Sequence, residues 1–440
     1  MMANQVYKNV LDFKNENEAL GTKLPFSEDV SVLSESVQIG SRIAPNRLVC
    51  QAMEGCDGTS DGSPDELTIR RYHRLAEGGA GIIWFEATAV CPEGRANPRQ
   101  LWMTDSNIDS FKKIADEMRE KALKSTGKEP LIILQATHSG RYSKPEGTPA
   151  PIIAYNNPLF EGANPIDKSR IVTDEQLDRI GEGLVNTSRL AEKAGFDGVD
   201  IKCCHRYLNS ELLSAYEREG RYGGSLENRT RLLRESVAGA IANCGKDFIV
   251  TTRLNVYDGF EYPLGFGVSK NGGTDFDPTE PMWLLAQLAD MGVELVNITM
   301  GNPYFNPHVN RPYAQGGYEP PEHPLQGVAR MLHGISDLAH ANPKLKLISS
   351  GLSYLGAAAP GVASAFIKDG GFEFAGFGRT ILAYPDFAKD ILASSELNAK
   401  KLCICCSKCT ELMRNAHTPG CVVRDKLYTE LYKSYKESKK

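Results

Sequence analysis

The feature that most constrains the fold is an eightfold alternation between short, apolar, β-branched runs and longer segments of helical periodicity. Strands that alternate with helices in this way pair in parallel and are connected by right-handed crossovers. Eight such units within roughly 340 residues are what a (β/α)8 barrel with some long loops requires. The predicted strands span residues 47–53, 81–90, 131–137, 198–204, 248–255, 295–301, 346–351 and 372–379.

Several of the intervening segments carry signals for helix ends. Thr173 and Gln176 have the spacing of a capping box, in which each side chain satisfies a backbone group of the other residue. Gly195 and Gly292 suit the left-handed residue that ends a helix before the next strand. No charge block or low-complexity linker interrupts the chain before about residue 395. We therefore predict an α/β TIM barrel over residues 1–395, followed by a cysteine-rich extension over 396–440. The predicted helices include 107–123, 173–195, 226–244, 282–292 and 326–341.

Composition and charge limit the classes of partner. Hydrophobic residues make up 41% of the chain, which is enough for a large core. The 50 basic and 55 acidic residues are interspersed and give a formal net charge of -5, so no single-sign field is expected to attract nucleic acid or anionic lipid. The amino terminus has no apolar run of signal-peptide length, and no run of 18 apolar residues occurs. We expect a cytoplasmic protein without a nucleic acid or membrane partner; a homo-oligomer is compatible with the sequence.

Polar residues stand at the carboxyl ends of the predicted strands, where barrel enzymes place their chemistry. Glycines follow the seventh and eighth strands, so backbone N–H groups there can bind a phosphate, although ordinary turn chemistry explains them equally well. Alternatively, the polar side chains at the strand ends have no ligand and form hydrogen bonds with one another inside the barrel. No G-x-G-x-x-G fingerprint of a Rossmann dinucleotide site occurs. The strand-end residues are Gln135, Lys202, His205, Tyr207, Arg253, Gly351, Gly378 and Arg379.

These strand ends, together with residues 48–53 and the segment Arg221-Tyr-Gly-Gly-Ser-Leu-Glu-Asn-Arg229, resemble the Old Yellow Enzyme family of FMN-dependent ene-reductases. The resemblance covers about residues 25–395 and implies FMN across the barrel mouth, with NADH or NADPH as its reductant. By position it implies these contacts: Ala52, Met53 and Ala87 along the isoalloxazine, Gln135 at its pyrimidine edge, Arg253 beside N1 and O2, and Gly351, Gly378 and Arg379 at the phosphate.

The end of the fourth strand carries the residues that the resemblance assigns to catalysis. Lys202 and His205 match a pair of hydrogen-bond donors to the carbonyl oxygen of a small enone, and Tyr207 matches the acid that protonates its α-carbon. A lysine in the first position departs from the best-known pattern. The alternative to these catalytic roles is that His205 is an ordinary core histidine and that Tyr207 is an aromatic residue that only packs. Two further departures leave the substrate open: Glu54 stands where many relatives carry threonine or cysteine, and Arg206 replaces a common glycine.

Five of the 11 cysteines fall between residues 403 and 421. Cys403, Cys406 and Cys409 have C-x2-C-x2-C spacing, Cys421 follows after 11 residues, and Cys405 is left over. An odd total in a reducing compartment favours metal or redox chemistry over disulfides. The position resembles the 4Fe-4S site of longer relatives similar to 2,4-dienoyl-CoA reductase and trimethylamine dehydrogenase, whose common spacing is one residue longer. We expect these four cysteines to hold one 4Fe-4S cluster, with Cys405 outside the site; zinc and unligated thiols are the alternatives.

Three functions are consistent with this reading, and we expect the first of them. In the first, the protein is an ene-reductase in which a nicotinamide reduces FMN, and hydride then passes to the β-carbon of an α,β-unsaturated carbonyl compound. In the second, it is the flavin and iron-sulfur component of a larger complex and takes electrons from a separate partner protein. In the third, Lys202 forms a Schiff base in a lyase, which leaves the flavin residues unexplained.

Overall fold

The computed structural model describes residues 5–439, and its central feature is a parallel barrel of eight strands in the order β10-β3-β4-β5-β6-β7-β8-β9. Strands β9 and β10 meet through a bridge between Ile348 and Phe374, which nearly closes the barrel. The predicted TIM barrel is therefore confirmed, and each predicted strand contains the observed one. The strands are β1 Val37–Ile39, β2 Arg42–Ala44, β3 Leu48–Cys50, β4 Ile82–Ala89, β5 Leu131–Thr137, β6 Gly198–Ile201, β7 Ile249–Asn255, β8 Leu295–Thr299, β9 Lys346–Ile348 and β10 Ala375–Phe377.

Helices cover the outside of the barrel, and the capping box is present. Thr173 Oγ1 accepts from the Gln176 N–H at 3.2 Å, and Gln176 Oε1 accepts from the Thr173 N–H at 2.8 Å. The predicted helix 226–244 is instead two helices, which are separated at Thr230 with φ of -97° and ψ of -1°. The helices are α1 Val10–Ala19, α2 Glu66–Ala76, α3 Ile108–Thr126, α4 Pro158–Glu161, α5 Asp174–Lys193, α6 Leu208–Leu212, α7 Leu226–Arg229, α8 Arg231–Asn243, α9 Thr279–Asp290, α10 Pro307–Asn310, α11 Pro324–Ala341, α12 Ala359–Lys368, α13 Thr380–Ala383, α14 Phe387–Ser394, α15 Lys408–Arg414 and α16 Lys426–Glu437.

An antiparallel hairpin of β1 and β2, which the sequence analysis did not predict, closes the amino-terminal end of the barrel. Its buried residues Val37, Ile39 and Ala44 belong to the same apolar cluster as the inward-facing side chains of the barrel strands. Arg42 fixes the hairpin through an ion pair with Asp197 at 3.3 Å. Because this end is filled, a large ligand enters from the carboxyl-terminal end of the strands.

The extension after residue 395 packs onto the barrel. Leu402 and Cys405 join the main hydrophobic core, and the buried Asp425 pairs with Arg70 and Arg74 of α2. The predicted barrel and extension therefore share one core across their boundary. Across residues 5–439, none of the helices combines the length and the apolar character needed to cross a membrane.

Candidate active site

The carboxyl ends of the barrel strands surround a cavity with about 1020 Å³ of open space, including the part that faces solvent. Apolar side chains such as Met53 and Ala87 line it together with converging polar groups, which is the usual composition of a ligand site. All eleven residues that the sequence analysis assigned to the flavin and to catalysis line it. They are Ala52, Met53, Ala87, Gln135, Lys202, His205, Tyr207, Arg253, Gly351, Gly378 and Arg379.

Asp200, on β6, fixes two of these residues from below. Its carboxylate accepts from Gln135 Nε2 at 2.6 Å, from the backbone N–H of Arg253 at 2.6 Å and from Trp84 Nε1 at 2.7 Å. The Gln135 amide keeps a second hydrogen and its oxygen for a ligand. Arg253 is buried, and its Nε has no hydrogen-bond partner among the described residues. A buried donor of this kind is costly unless a ligand satisfies it.

The opposite end of the cavity is cationic. Arg379 Nη2 donates to the Pro312 carbonyl at 2.6 Å, while its buried Nη1 has no partner among the described residues. Arg311, which the sequence analysis did not single out, also lines the cavity; burial and the charge of Arg379 lower its pKa. Gly351 has φ of +91°, a conformation that favours glycine, and precedes the turn that leads to α12. This end is suited to bind an anion.

The catalytic candidates lie together on the turn after β6. Lys202 Nζ lies 3.7 Å from the centroid of the Tyr207 ring. Burial lowers the pKa of Lys202, and the charges of Cys204 and Glu54 oppose this effect. Burial also lowers the pKa of His205 far below its usual value, and the charges of Arg253 and Lys202 lower it further. His205 is therefore a neutral imidazole that can donate one hydrogen bond.

Glu54 lies inside the cavity, against Tyr207. Its carboxylate accepts from Tyr207 Oη at 3.2 Å and from Asn97 Nδ2 at 3.2 Å. Tyr207 Oη also lies 3.1 Å from the hydroxyl of Tyr304, a cavity residue from the loop after β8. The Tyr207 phenol is thus placed between a carboxylate and a second phenol.

Arg206 does not line the cavity but supports the turn that does. Its guanidinium pairs with Asp258 at 2.9 Å, and both side chains are inaccessible to solvent, at 0% and 1%. It also donates to Ser214 Oγ at 2.8 Å and to Tyr155 Oη at 2.7 Å. His205 and Arg206 have φ of +63° and +60°, which is strained for residues with a side chain. The ion pair therefore stabilises the strained turn that presents His205 and Tyr207.

Removing one partner of this ion pair is expected to destabilise the fold. In Asp258→Ala the Arg206 charge stays buried without compensation, which costs about 3–5 kcal/mol of unfolding free energy. Urea denaturation of the variant and the wild type measures the difference. Asp116→Ala is the matched control, since the Lys112–Asp116 pair is exposed at 53% and 57% and contributes about 0.5 kcal/mol or less. Equal losses in the two variants would contradict this account of Arg206.

The clustered cysteines line a second, smaller cavity of about 360 Å³. Cys403, Cys406, Cys409 and Cys421 are partly exposed there, whereas Cys405 is buried. The Cys405 N–H donates to Cys403 Sγ at 3.4 Å, and Cys405 Sγ lies 3.6 Å from the Ser353 carbonyl oxygen. In the range 5–439, no three Cys, His, Asp or Glu side chains are grouped as for a single metal ion.

The two cavities share a wall. Arg379, Leu382 and Cys409 line both of them. Thr410 and Met413 of α15 also line the larger cavity, so the extension contributes to the main site. Sequence patterns gave no signal for these contacts, because they depend on where the extension packs against the barrel.

Comparison with known proteins identifies the family. A model described as the NADH:flavin oxidoreductase / NADH oxidase family matches residues 33–268, which is more than half of the chain. The chain belongs to this family. The predicted Old Yellow Enzyme relationship is thus confirmed, and the chain is an NAD(P)H-dependent flavin oxidoreductase.

The similarity extends to individual relatives of this flavin oxidoreductase. NADPH dehydrogenase from Halalkalibacterium halodurans is 34% identical over 268 residues, which cover 58% of this chain and 69% of that enzyme. A metal reductase from Desulforamulus reducens is 24% identical over 405 residues, 90% of this chain and 53% of the reductase. The structure of 2-naphthoyl-CoA reductase with 2-naphthoyl-CoA matches with a TM-score of 0.72 at 20% identity, over 91% of this chain and 58% of that one. The chain thus spans little more than half of these two longer proteins.

Proposed function

We propose that this flavin oxidoreductase binds FMN in the larger cavity and reduces the carbon–carbon double bond of a small α,β-unsaturated carbonyl compound. One observation carries the proposal: the eleven residues that family resemblance assigns to flavin and substrate line a single cavity. The buried, unpartnered nitrogens of Arg253 and Arg379 support it, since a flavin edge and a phosphate would satisfy them. When bound and reduced, FMN supplies the hydride that goes to the β-carbon.

The residues after β6 prepare the substrate. Lys202 and neutral His205 donate hydrogen bonds to the substrate carbonyl oxygen and stabilise the negative charge that develops there. Tyr207, whose pKa burial raises well above its usual value, keeps its proton until the α-carbon needs it. Arg379 and Arg311 would hold the FMN phosphate at the cationic end of the cavity, and Gln135 and Arg253 would hold the pyrimidine edge beside Asp200. Because most of these groups stand on the strand ends or on the turns that directly follow them, the site is pre-organised.

A second candidate function is favoured by the wall that the two cavities share. In this case the protein is the flavin and iron-sulfur component of a larger complex, supplied with electrons by a partner protein. Cys403, Cys406, Cys409 and Cys421 would hold a 4Fe-4S cluster, and their common cavity and the N–H···S contact of Cys403 fit such a group. When bound, the cluster supplies one-electron transfer. The Schiff-base lyase has less support, since the family accounts for the cavity without it.

Cofactor release and rapid mixing test the proposal and separate the two candidates. Purified protein is expected to be yellow and, after acid or heat, to release FMN and not FAD. Rapid bleaching of the flavin by NADH or NADPH indicates a self-sufficient reductase, because no partner is then needed. Bleaching by dithionite alone indicates the partner-dependent component, and it also serves as the control for an intact flavin. A colourless protein that FMN does not reconstitute contradicts both candidates.

A further inference from the structure

We propose that Glu54 stores the proton that refills Tyr207 after each turnover, and that it controls whether Tyr207 can act as an acid. This inference rests on the proposed function, because it deepens the role of the same site. It begins from the direct contact between the Glu54 carboxylate and Tyr207 Oη at 3.2 Å.

Tyr207 has two partners from which a proton can come. They are the Glu54 carboxyl group and the Tyr304 hydroxyl, at 3.2 Å and 3.1 Å. A carboxylic acid is about six pKa units more acidic than a phenol in water, so it protonates a phenolate far more readily than a second phenol does. Tyr304 is a still weaker proton donor than a phenol in water, because burial raises its pKa. Glu54 is therefore the better proton source.

The surroundings of Glu54 shift its carboxyl group towards the protonated form. Burial raises its pKa; the charge of Lys202 and hydrogen bonds from Tyr207, Cys56 and Asn97 oppose this effect without cancelling it. The remaining charged groups nearby belong to a separate network beneath the loop. There Glu86 accepts from the Gly55 N–H at 2.6 Å and pairs with Arg71, which also binds Asp57 at 2.7 Å.

That network fixes the backbone beside Glu54 without neutralising the Glu54 carboxylate. Arg71 is committed to Glu86 and Asp57, so it is not available as a partner for Glu54. The charge of Lys202 lowers the pKa of Glu54, but the Lys202 ammonium lies over the Tyr207 ring and forms no ion pair with Glu54 among the described residues. Glu54 can therefore exchange its proton with Tyr207 without first breaking an ion pair.

The protonation state of Glu54 decides where the Tyr207 hydrogen points. When Glu54 is ionised, its carboxylate accepts that hydrogen and holds it away from the substrate. When Glu54 is protonated, it donates to Tyr207 Oη, and the phenolic hydrogen is free to face the cavity. The α-carbon can then take it.

The proton and electron balance is simple. Reduced flavin, when bound, would supply a hydride with both electrons for the new C–H bond at the β-carbon. The Tyr207 O–H bond breaks as the C–H bond at the α-carbon forms, which leaves a phenolate. The Glu54 O–H bond then breaks, its proton moves to Tyr207 Oη, and water re-protonates the Glu54 carboxylate after product leaves.

The test compares Glu54→Gln with the wild type in two independent measurements. Infrared spectra are recorded on the oxidised proteins without substrate, and the spectrum of Glu54→Gln is subtracted from each of the others. A protonated carboxylic acid band should remain in the difference for the wild type and for Tyr207→Phe. In rapid mixing, flavin oxidation by an enone should slow as the pH rises through the raised pKa of Glu54. Below that pKa Glu54 is protonated and leaves the Tyr207 hydrogen free, whereas above it the carboxylate holds that hydrogen. Glu54→Gln should lose this pH dependence, and its steady-state turnover should fall by about 10²-fold, the lower end of the range for a lost proton donor, because Tyr207 is not refilled between turnovers.

Two variants keep the outcome decisive. Glu54→Asp retains an acid and should retain the falling pH profile. If Tyr304→Phe removes that profile and Glu54→Gln does not, the proton comes from Tyr304 and the proposal is overturned. Absence of the infrared band overturns it even if the protein proves not to reduce enones. If Tyr207→Phe slows flavin oxidation by an enone while Glu54→Gln keeps the wild-type rates, the role of Glu54 is overturned and the proposed function stands.

Discussion

Tyr207→Phe is expected to slow the reoxidation of the reduced flavin by an enone by about 10²-fold or more, the range for a lost general acid. The phenolic hydroxyl is the group that the proposed mechanism uses to protonate the α-carbon, and it is buried where bulk water does not replace it easily. Reduction of the flavin by a nicotinamide should be unchanged, since that step takes no proton from Tyr207. Stopped-flow absorbance of the two half-reactions measures both effects separately.

Tyr142→Phe is the matched control for this prediction. Tyr142 carries the same hydroxyl close to the site, and its ring packs against Tyr304 with centroids 4.0 Å apart and the ring planes tilted by 30°. Its hydroxyl, however, is bonded to Asn302, and it does not line the cavity. Both half-reactions of this variant should stay near the wild-type rates. If Tyr142→Phe and Tyr207→Phe are equally slow, the loss reflects packing of the tyrosines and not proton transfer.

Cys409→Ser is expected to abolish the metal content of the extension. Anaerobically purified wild type should contain about four iron and four acid-labile sulfide per chain if four cysteines hold one 4Fe-4S cluster. Cys409 is the ligand candidate that also lines the larger cavity, so its replacement removes the thiol nearest to the flavin site. Iron and sulfide analysis, with the visible spectrum after subtraction of the flavin, measures the loss.

Cys405→Ser separates this prediction from a general effect of removing a thiol. The Cys405 side chain is buried and faces the Ser353 carbonyl, so the variant should keep its iron and sulfide. Stoichiometric zinc without labile sulfide in the wild type would instead identify a zinc site, and the one-electron role would be lost with it. Loss of iron from Cys405→Ser, with retention in Cys409→Ser, would exchange the assignment of the two residues.

The sequence by itself determined the barrel and eleven of the residues around its cavity. Apolar, β-branched runs between helical segments leave few packings, because each strand must bury both faces. The carboxyl ends of parallel barrel strands meet at one rim, so residues as distant as Gln135, Arg253 and Gly378 are brought together once the strands are known. The residue types at those ends carried the family resemblance.

Only the tertiary structure decided what the unusual residues do. Glu54 and Tyr207 are 153 residues apart, and no local pattern encodes the hydrogen bond between them. No sequence pattern predicted the ion pair of Arg206 with Asp258 or the hairpin that closes the amino-terminal end of the barrel. Cys409 and Met413 enter the main cavity because the extension packs across the barrel mouth. Periodicity and spacing specify which face of an element is buried, whereas contacts between distant loops follow from the packing of the whole chain.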